Sequence, residues 1–551
     1  MPGLKLPFSV QRVGCQNSQL KDSRFTTAEI FDAATYIGVL IFVLVLPFGY
    51  STAFLNIGLS FVIFGWVGRI ISERKLGWQR TPLDIPILLF LGLGLIASLL
   101  APHPATSSLG YFWKHLRAIL LFYAVIHSRL DTPIRYSLWG SRWRHVIIAF
   151  IAAAGISSAL GLWYYANDTR LAIDFMGRIG LQFQEELVTG GDPNLQISDE
   201  LRAELRNCNV PLSETASFVS SKQSNEWRID DPARDRRYTV RKGETHLMVY
   251  MIEQRLTGTF KMPNDLGAYF ALTLPFVTGY FVVGCGGMFI QSKGVEANRK
   301  SRRFLIWVTL GLGVILAPMS ANLVLTLTRA AWISVAVAVI FIGCYYAACT
   351  IFTRMPWKRS LLGLAFVSVV FCVLMVNTSS RQTIIGIVPQ HIKDRFQTML
   401  THPAGFMSER PQWWRTSLEL IRKYPLTGIG LGRFRYEYQY NGPDEQYYTP
   451  YHAHNIYLHI AAEQGVPSLF VFLWMVAIIC RQVFAMRKAD DLWKMGTFIG
   501  ACGFLISALI YGLADNILHQ RTVLLFWFII GIIFYVQSLK DKKYEKTLET
   551  G

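Results

Sequence analysis

Charge is scarce in this chain. Of its 551 residues, Asp, Glu, Lys and Arg together make up 16%, well below the roughly 25% of a soluble domain. That excludes a disordered or fibrous protein and argues against an ordinary cytosolic enzyme. The eight cysteines include no CxxC pair and no zinc or haem spacing. Cys285, Cys344, Cys349, Cys372, Cys480 and Cys502 lie in or beside apolar runs, Cys15 is near the N-terminus, and Cys208 is isolated in a polar stretch. No disulfide within one loop is therefore available there. No regular GxGxxG follows a strand, and no obvious internal repeat appears, which disfavours transporters built from duplicated halves. The N-terminus also lacks a short apolar core with a small-residue cleavage site, so the first apolar run is expected to be an uncleaved anchor.

Apolar residues are abundant instead, at 52%. A spanning helix needs roughly 17 to 25 mainly apolar residues. Twelve stretches meet or approach that: 34–54, 55–71, 83–100, 112–127, 146–165, 265–289, 304–321, 330–352, 361–376, 466–484, 495–514 and 522–536. The expected fold is an all-α polytopic membrane protein with about twelve transmembrane helices and two long outer loops, the second partly helical. Its expected units are 1–165 with five spans, the loop 166–264, 265–376 with four spans, the loop 377–465, and 466–551 with three spans and a tail.

Lys and Arg exceed Asp and Glu by 54 to 36, a formal +18. A nucleic-acid binder would gather such an excess on a folded polar face. Here about half of the cations sit in the two tails and in alternate connections, such as Arg69/Arg74/Lys75/Arg80 and Lys293/Arg299/Lys300/Arg302/Arg303. Cytoplasmic loops hold the excess of Lys and Arg, so both termini are expected inside and both long loops outside. The charge reports topology, and no nucleic-acid partner is expected. Loops of this length are usually functional.

Four polar features need explaining. Arg329 lies in Leu325-Thr-Leu-Thr-Arg-Ala-Ala-Trp332, at a tight outer turn between two apolar spans. A charge near hydrocarbon marks a function by default, although snorkelling to the interface would also place it there. Segment 411–424 reads as an amphipathic helix, with Pro411 near its start and Trp413, Trp414, Ser417, Leu418, Leu420 and Ile421 on one broad face. Arg410 at its head could hold a carboxylate or phosphate, or simply make a surface salt bridge. In 425–432 three glycines form either a plain turn or a backbone nest for an anion. Finally, His452, His454 and His459 precede or open the tenth span. Two histidines at i, i+2 with no acidic residue placed beside them are a poor metal set. One histidine taking a proton near neutral pH is more economical, and interfacial packing is the bland alternative. Asn455 could orient that histidine or hold a sugar hydroxyl.

At these residues the sequence resembles the O-antigen ligase and O-antigen polymerase superfamily of bacterial membrane glycosyltransferases. His454-Asn455 followed by nine residues and Gly465 resembles the ligase His-Asn pattern, with Ser468 where Gly, Thr or Tyr is more usual. Thr328-Arg329-Ala-Ala-Trp332 resembles the Ser-Arg-Gly-x-Trp turn. Arg410 with Trp414, and 425–434, resemble the Arg-x-x-x-Trp helix and the Pro-x-x-Gly-x-Gly-x-Gly-x-Phe turn. Gly258-Thr-Phe-Lys-Met-Pro-Asn-Asp-Leu266 resembles Gly-Thr-Phe-x-Asn-Pro-Asn, with Met262 replacing Asn. The resemblance covers 258–484; the first loop matches no motif.

The resemblance implies a metal-independent inverting transferase without cofactor. It would take a glycan from undecaprenyl diphosphate on the periplasmic face of the inner membrane and pass it to a lipid A-core hydroxyl. Close versions join lipid-linked repeats as a polymerase or transfer to a protein; the competing class is a lipid-sugar flippase or other transporter. Carried over by residue, His454 is the base, and Arg329 and Arg410 clamp the diphosphate. Asn455, Lys114, Arg117, Asn264 and Gly430 complete the candidate substrate-binding set. Partners besides donor and acceptor are the membrane lipids.

Overall fold

Long apolar helices dominate the computed structural model. It describes residues 26–75, 78–101, 108–134, 140–179, 247–291, 299–352, 392–393, 410–441, 450–489, 491–519 and 521–549, with shorter stretches between 197 and 242. Among the described residues ten helices are long and apolar enough to cross a membrane, and Asp84–Leu99 is a shorter apolar one. The chain is a polytopic membrane protein. The expected ninth span, 361–376, lies outside the described residues.

The first five helices are α1 (Thr27–Val45), α2 (Thr52–Glu73), α3 (Asp84–Leu99), α4 (Ser108–His127) and α5 (Arg142–Ala166). The first span starts and ends earlier than its apolar run. Thr26 and Glu29 form a reciprocal capping box that begins α1. The chain turns after Leu46, where Pro47 cannot supply an N–H and Gly49 N donates to Thr259 O at 2.7 Å. α4 extends past the expected 112–127 to Ser108, and Lys114 and Arg117 lie within it.

A five-stranded antiparallel sheet follows, in the first long loop. Its strands are β1 (Leu171–Ile179), β2 (Ser217–Val219), β3 (Glu226–Asp231), β4 (Arg236–Lys242) and β5 (Leu247–Leu256), in the order β1-β5-β4-β3-β2. The sheet was not expected, although β4 carries a signal: Tyr238 and Val240, two apart, point to one face. There they join Ile229, Leu247 and Val249 in a core separate from that of the helices.

From β5 the chain runs through Thr257–Phe260 into α6 (Pro263–Gln291), then α7 (Arg299–Leu325) and α8 (Arg329–Phe352). The second long loop contributes α9 (Arg410–Lys423), α10 (Phe434–Asn441) and α11 (Ile456–Gln464). The last spans are α12 (Val466–Ala485), α13 (Leu492–Gly512) and α14 (Thr522–Glu549). α6 packs on α13, α7 and α8, and α14 packs on α4 and α12. At the α6–α13 crossing a Cβ built on Gly279 would lie 2.2 Å from Gly500 N. Small residues permit this backbone contact, which replaces the hydrophobic driving force missing between helices in lipid.

Candidate active site

Four turns meet at the end of the bundle that carries the sheet. The α7–α8 turn places Leu327 in the left-handed region, φ +52°, which costs an ordinary residue roughly 1–2 kcal/mol. Its neighbours hold it there. Thr328 N donates to Thr326 Oγ1 at 3.2 Å, and Arg255 Nε from β5 donates to Thr326 O at 3.1 Å. Arg329, the first residue of α8, is thereby set at the bundle end with 8% of its surface exposed. Arg410 opens α9, and both Arg410 and Arg255 are near enough for their charges to repel that of Arg329. Such a grouping of cations favours an anion between them.

His454 lies in the turn before α11, also left-handed at φ +47°. Its ring stacks on Trp413 of α9, with centroids 4.6 Å apart. Its Nδ1 is 3.1 Å from Asp515 Oδ1. Asp515 follows α13 and is itself 6% exposed. Burial alone would raise the Asp515 carboxyl, but His454, His452 and Arg410 outweigh it and hold the group well below the usual carboxylate range. A carboxylate facing Nδ1 fixes the hydrogen on that nitrogen and the lone pair on Nε2. Tyr511 OH donates to Asp515 Oδ2 at 3.1 Å and lies 3.3 Å from Asn264 O, which fixes the carboxylate from its other side. Asn264 Oδ1 in turn accepts from Arg255 Nη2 at 2.7 Å and Thr328 Oγ1 at 3.3 Å. One chain of hydrogen bonds thus links the sheet, the arginine turn and the histidine.

The glycine turn is filled by a carboxyl group of the protein's own. Gly428, Gly430 and Gly432 all have positive φ, and the turn wraps around Glu463 of α11. Gly432 N and Phe434 N donate to its two carboxylate oxygens at 2.8 and 3.1 Å, and Gly430 N donates to Glu463 O at 2.9 Å. Gly430 therefore spends its N–H on α11. Burial pushes the Glu463 carboxyl up to about 7 despite these donors, and pushes neighbouring His459 down to about 3. Nε2 of His459 lies 3.4 Å from Glu463 Oε2.

The raised Glu463 value has a measurable sign. The unfolded carboxyl titrates near 4.5, so between about pH 4.5 and 7 the folded chain holds a proton that the unfolded chain has lost. The stabilisation is complete below that window and gone above it. Glu463→Gln should flatten the fall in thermal stability of the detergent-solubilised protein between about pH 5 and 7; an unchanged slope would show that Glu463 is not its source.

The remaining candidates divide. Asn455 caps α11, its Oδ1 accepting from Tyr457 N and Leu458 N at 3.0 Å and its Nδ2 donating to Leu513 O at 3.1 Å. It anchors the histidine turn to the end of α13. Lys114 lies 3.9 Å over the Tyr111 ring and its charge reaches His519, so it borders the site. Arg117 donates to Asn56 of α2 at 3.0 Å. The buried face of α9 is Trp413, Thr416, Ser417 and Leu420, whereas Leu418 is exposed. Sequence reasoning missed Asp515, Tyr511 and Arg255. An acidic residue in the short turn before the last span was the available signal for Asp515.

The fold and site define a polytopic membrane protein with a histidine paired to a buried aspartate, and with arginines, at one end of its bundle. Residues 298–473 match the model of the O-antigen ligase family, in agreement with the resemblance carried by the motifs. That segment contains Arg329, Arg410, the glycine turn and His454, and it points to a glycan-transferring enzyme of the ligase and polymerase kind. No curated protein matches the chain.

Proposed function

We propose that the protein transfers a glycan from a polyprenyl diphosphate, undecaprenyl diphosphate in a bacterium, to a hydroxyl of a lipid A-core acceptor at the periplasmic face of the inner membrane. The observation that carries this is the 3.1 Å His454–Asp515 contact, set beside Arg329 and Arg410 at the bundle end. His454 Nε2 removes the acceptor proton as its oxygen attacks the anomeric carbon. The sugar–phosphate bond breaks with inversion, and the electron pair leaves with the diphosphate. Arg329 and Arg410 hold the charge that develops there. Asp515 stabilises the imidazolium, and Tyr511 and Asn264 keep Asp515 in place.

The test is a transfer assay with purified protein, a defined undecaprenyl-diphosphate glycan, and two acceptors, lipid A-core and a second lipid-linked unit. Lipid A-core is the expected acceptor. Product formed only with the second acceptor would make the protein a polymerase, and no product with either would sink the transferase reading.

Two further expectations follow from the same scheme. Transfer should persist in EDTA, because the two arginines do the work of a metal at the leaving group; activity lost to EDTA and restored by one divalent ion would refute this. Reporter fusions after Ser107, Ser213 and Asp444 should read outside, and those after Arg80, Lys300 and Lys488 inside. Either long loop reading inside would remove the site from the periplasmic face.

A further inference from the structure

His454 and Asp515 belong to a larger cluster whose other members have no part in the transfer. The His452 ring lies 4.1 Å from that of His454, 5.1 Å from that of His519 and 6.1 Å from that of His459. His452 Nδ1 is 3.7 Å from Asp515 Oδ1, the same oxygen that His454 approaches. One donor atom each from His452, His454 and Asp515 can be chosen so that all three lie within 4.8 Å of one another. His519 sits four residues beyond Asp515 in the same turn. This turn lies across the bundle end from the histidine loop, so the grouping is made by the tertiary fold. Two imidazoles on one shared carboxylate oxygen, with a third ring beside them, exceed what a general base requires.

The donors suit a particular class of ion. Imidazole binds a metal through the lone pair of a ring nitrogen, and His452, His454 and Asp515 can turn donor atoms toward one point. Asp515 stays ionised. Neutral nitrogens with one carboxylate oxygen favour borderline ions such as Zn2+ over Mg2+ or Ca2+, which prefer oxygen alone. Two contacts must yield: the 3.1 Å contact of His454 Nδ1 with Asp515 Oδ1, whose hydrogen the ion displaces, and the long 3.3 Å bond that His454 N donates to His452 Nδ1.

We propose that His452, His454 and Asp515 form an inhibitory binding site for Zn2+ or a similar borderline divalent ion, with His519 next to it. Bound there, the ion occupies His454 and neutralises Asp515, so the base is lost while the arginine clamp is untouched. Inhibition rests on the assignment of His454 as the base; binding does not.

The experiment titrates ZnCl2 into the full-length protein, first stripped with chelator and desalted. Binding is followed by equilibrium dialysis and by the visible absorption of Co2+ used in place of Zn2+, and transfer is followed in parallel. Saturable binding of one ion per chain is expected, with transfer falling as the site fills and returning with EDTA, and with Mg2+ inert. His452→Ala should keep its metal-free transfer and need at least about tenfold more Zn2+ for both binding and inhibition; His452→Gln serves the same purpose if the alanine variant fails to fold. Binding unaffected by a folded His452 variant, or no saturable binding, would overturn the site. A filled site with full transfer would overturn the inhibition. If no transfer is found under any condition, the transferase reading fails alone, and dialysis and Co2+ absorption still decide the site. Metal-free turnover that ignores Zn2+ sinks the inhibition and leaves the transferase reading standing.

Discussion

His454→Ala is expected to lower the rate of glycan transfer by about 10² to 10⁴, with binding of the lipid diphosphate largely intact. The size follows from chemistry. The acceptor is a neutral hydroxyl, a poor nucleophile until its proton is removed, and His454 has its Nδ1 within hydrogen-bond distance of a buried carboxylate, 3.1 Å from Asp515 Oδ1. Asp515→Asn should cost a similar order in turnover. The amide keeps the shape but can present an N–H to Nδ1, which moves the imidazole hydrogen to Nε2 and leaves no lone pair for the acceptor. His452→Ala and His459→Ala should be mild, since neither contact is used in the transfer. Turnover numbers of folded, purified variants decide the matter, and near-normal turnover by His454→Ala would sink the mechanism.

Loss of either arginine should act differently. Arg329→Ala and Arg410→Ala each remove a charge-assisted contact of roughly 1.5 to 3 kcal/mol, or about 10- to 150-fold in kcat/KM. Because the diphosphate is charged both before and during departure, donor binding should weaken together with turnover. Lysine at either position should rescue only in part, since it keeps the charge but lacks the planar fork. Arg329 is the more sensitive of the two: its turn already holds Leu327 in the left-handed region, so a lysine there inherits the aim of the turn without the reach of a guanidinium. Unchanged donor binding and unchanged kcat/KM in both alanine variants would remove the clamp from the scheme.

Neither group of residues was equally legible. Arg329 could be seen in the sequence because a charge between two apolar runs is costly and has to be explained. Arg410 and the face of α9 followed from a helical period and an early proline, although Leu418 proved exposed because the stripe that packs runs through Trp413, Thr416, Ser417 and Leu420. The glycine turn was recognisable as a turn, but its N–H groups are taken up by Glu463, over thirty residues further along the chain from Gly432. The sheet escaped notice because its strands alternate over few residues and are separated by polar stretches, where a period of two is a weak signal.

What the sequence determined by itself is the membrane body. Spans are local: about 20 apolar residues must form a helix in lipid whatever their neighbours do, because every backbone polar group has to be satisfied within the segment. Loop charges and the residue types at the outer turns are local too, so His454, Arg329 and Arg410 could be singled out without coordinates. Which of them act together could not. Asp515 is 61 residues from His454 and separated from it by two spans, Tyr511 reaches Asn264 across 247 residues, and Arg255 comes from a sheet outside the helices. A hydrogen bond depends on angstroms between side chains, and those distances are set only when α6, α13 and the turns at their ends pack into one body. The tertiary structure alone decided that the histidine has a carboxylate, that the glycine turn has a carboxyl group of its own, and that two imidazoles approach one oxygen.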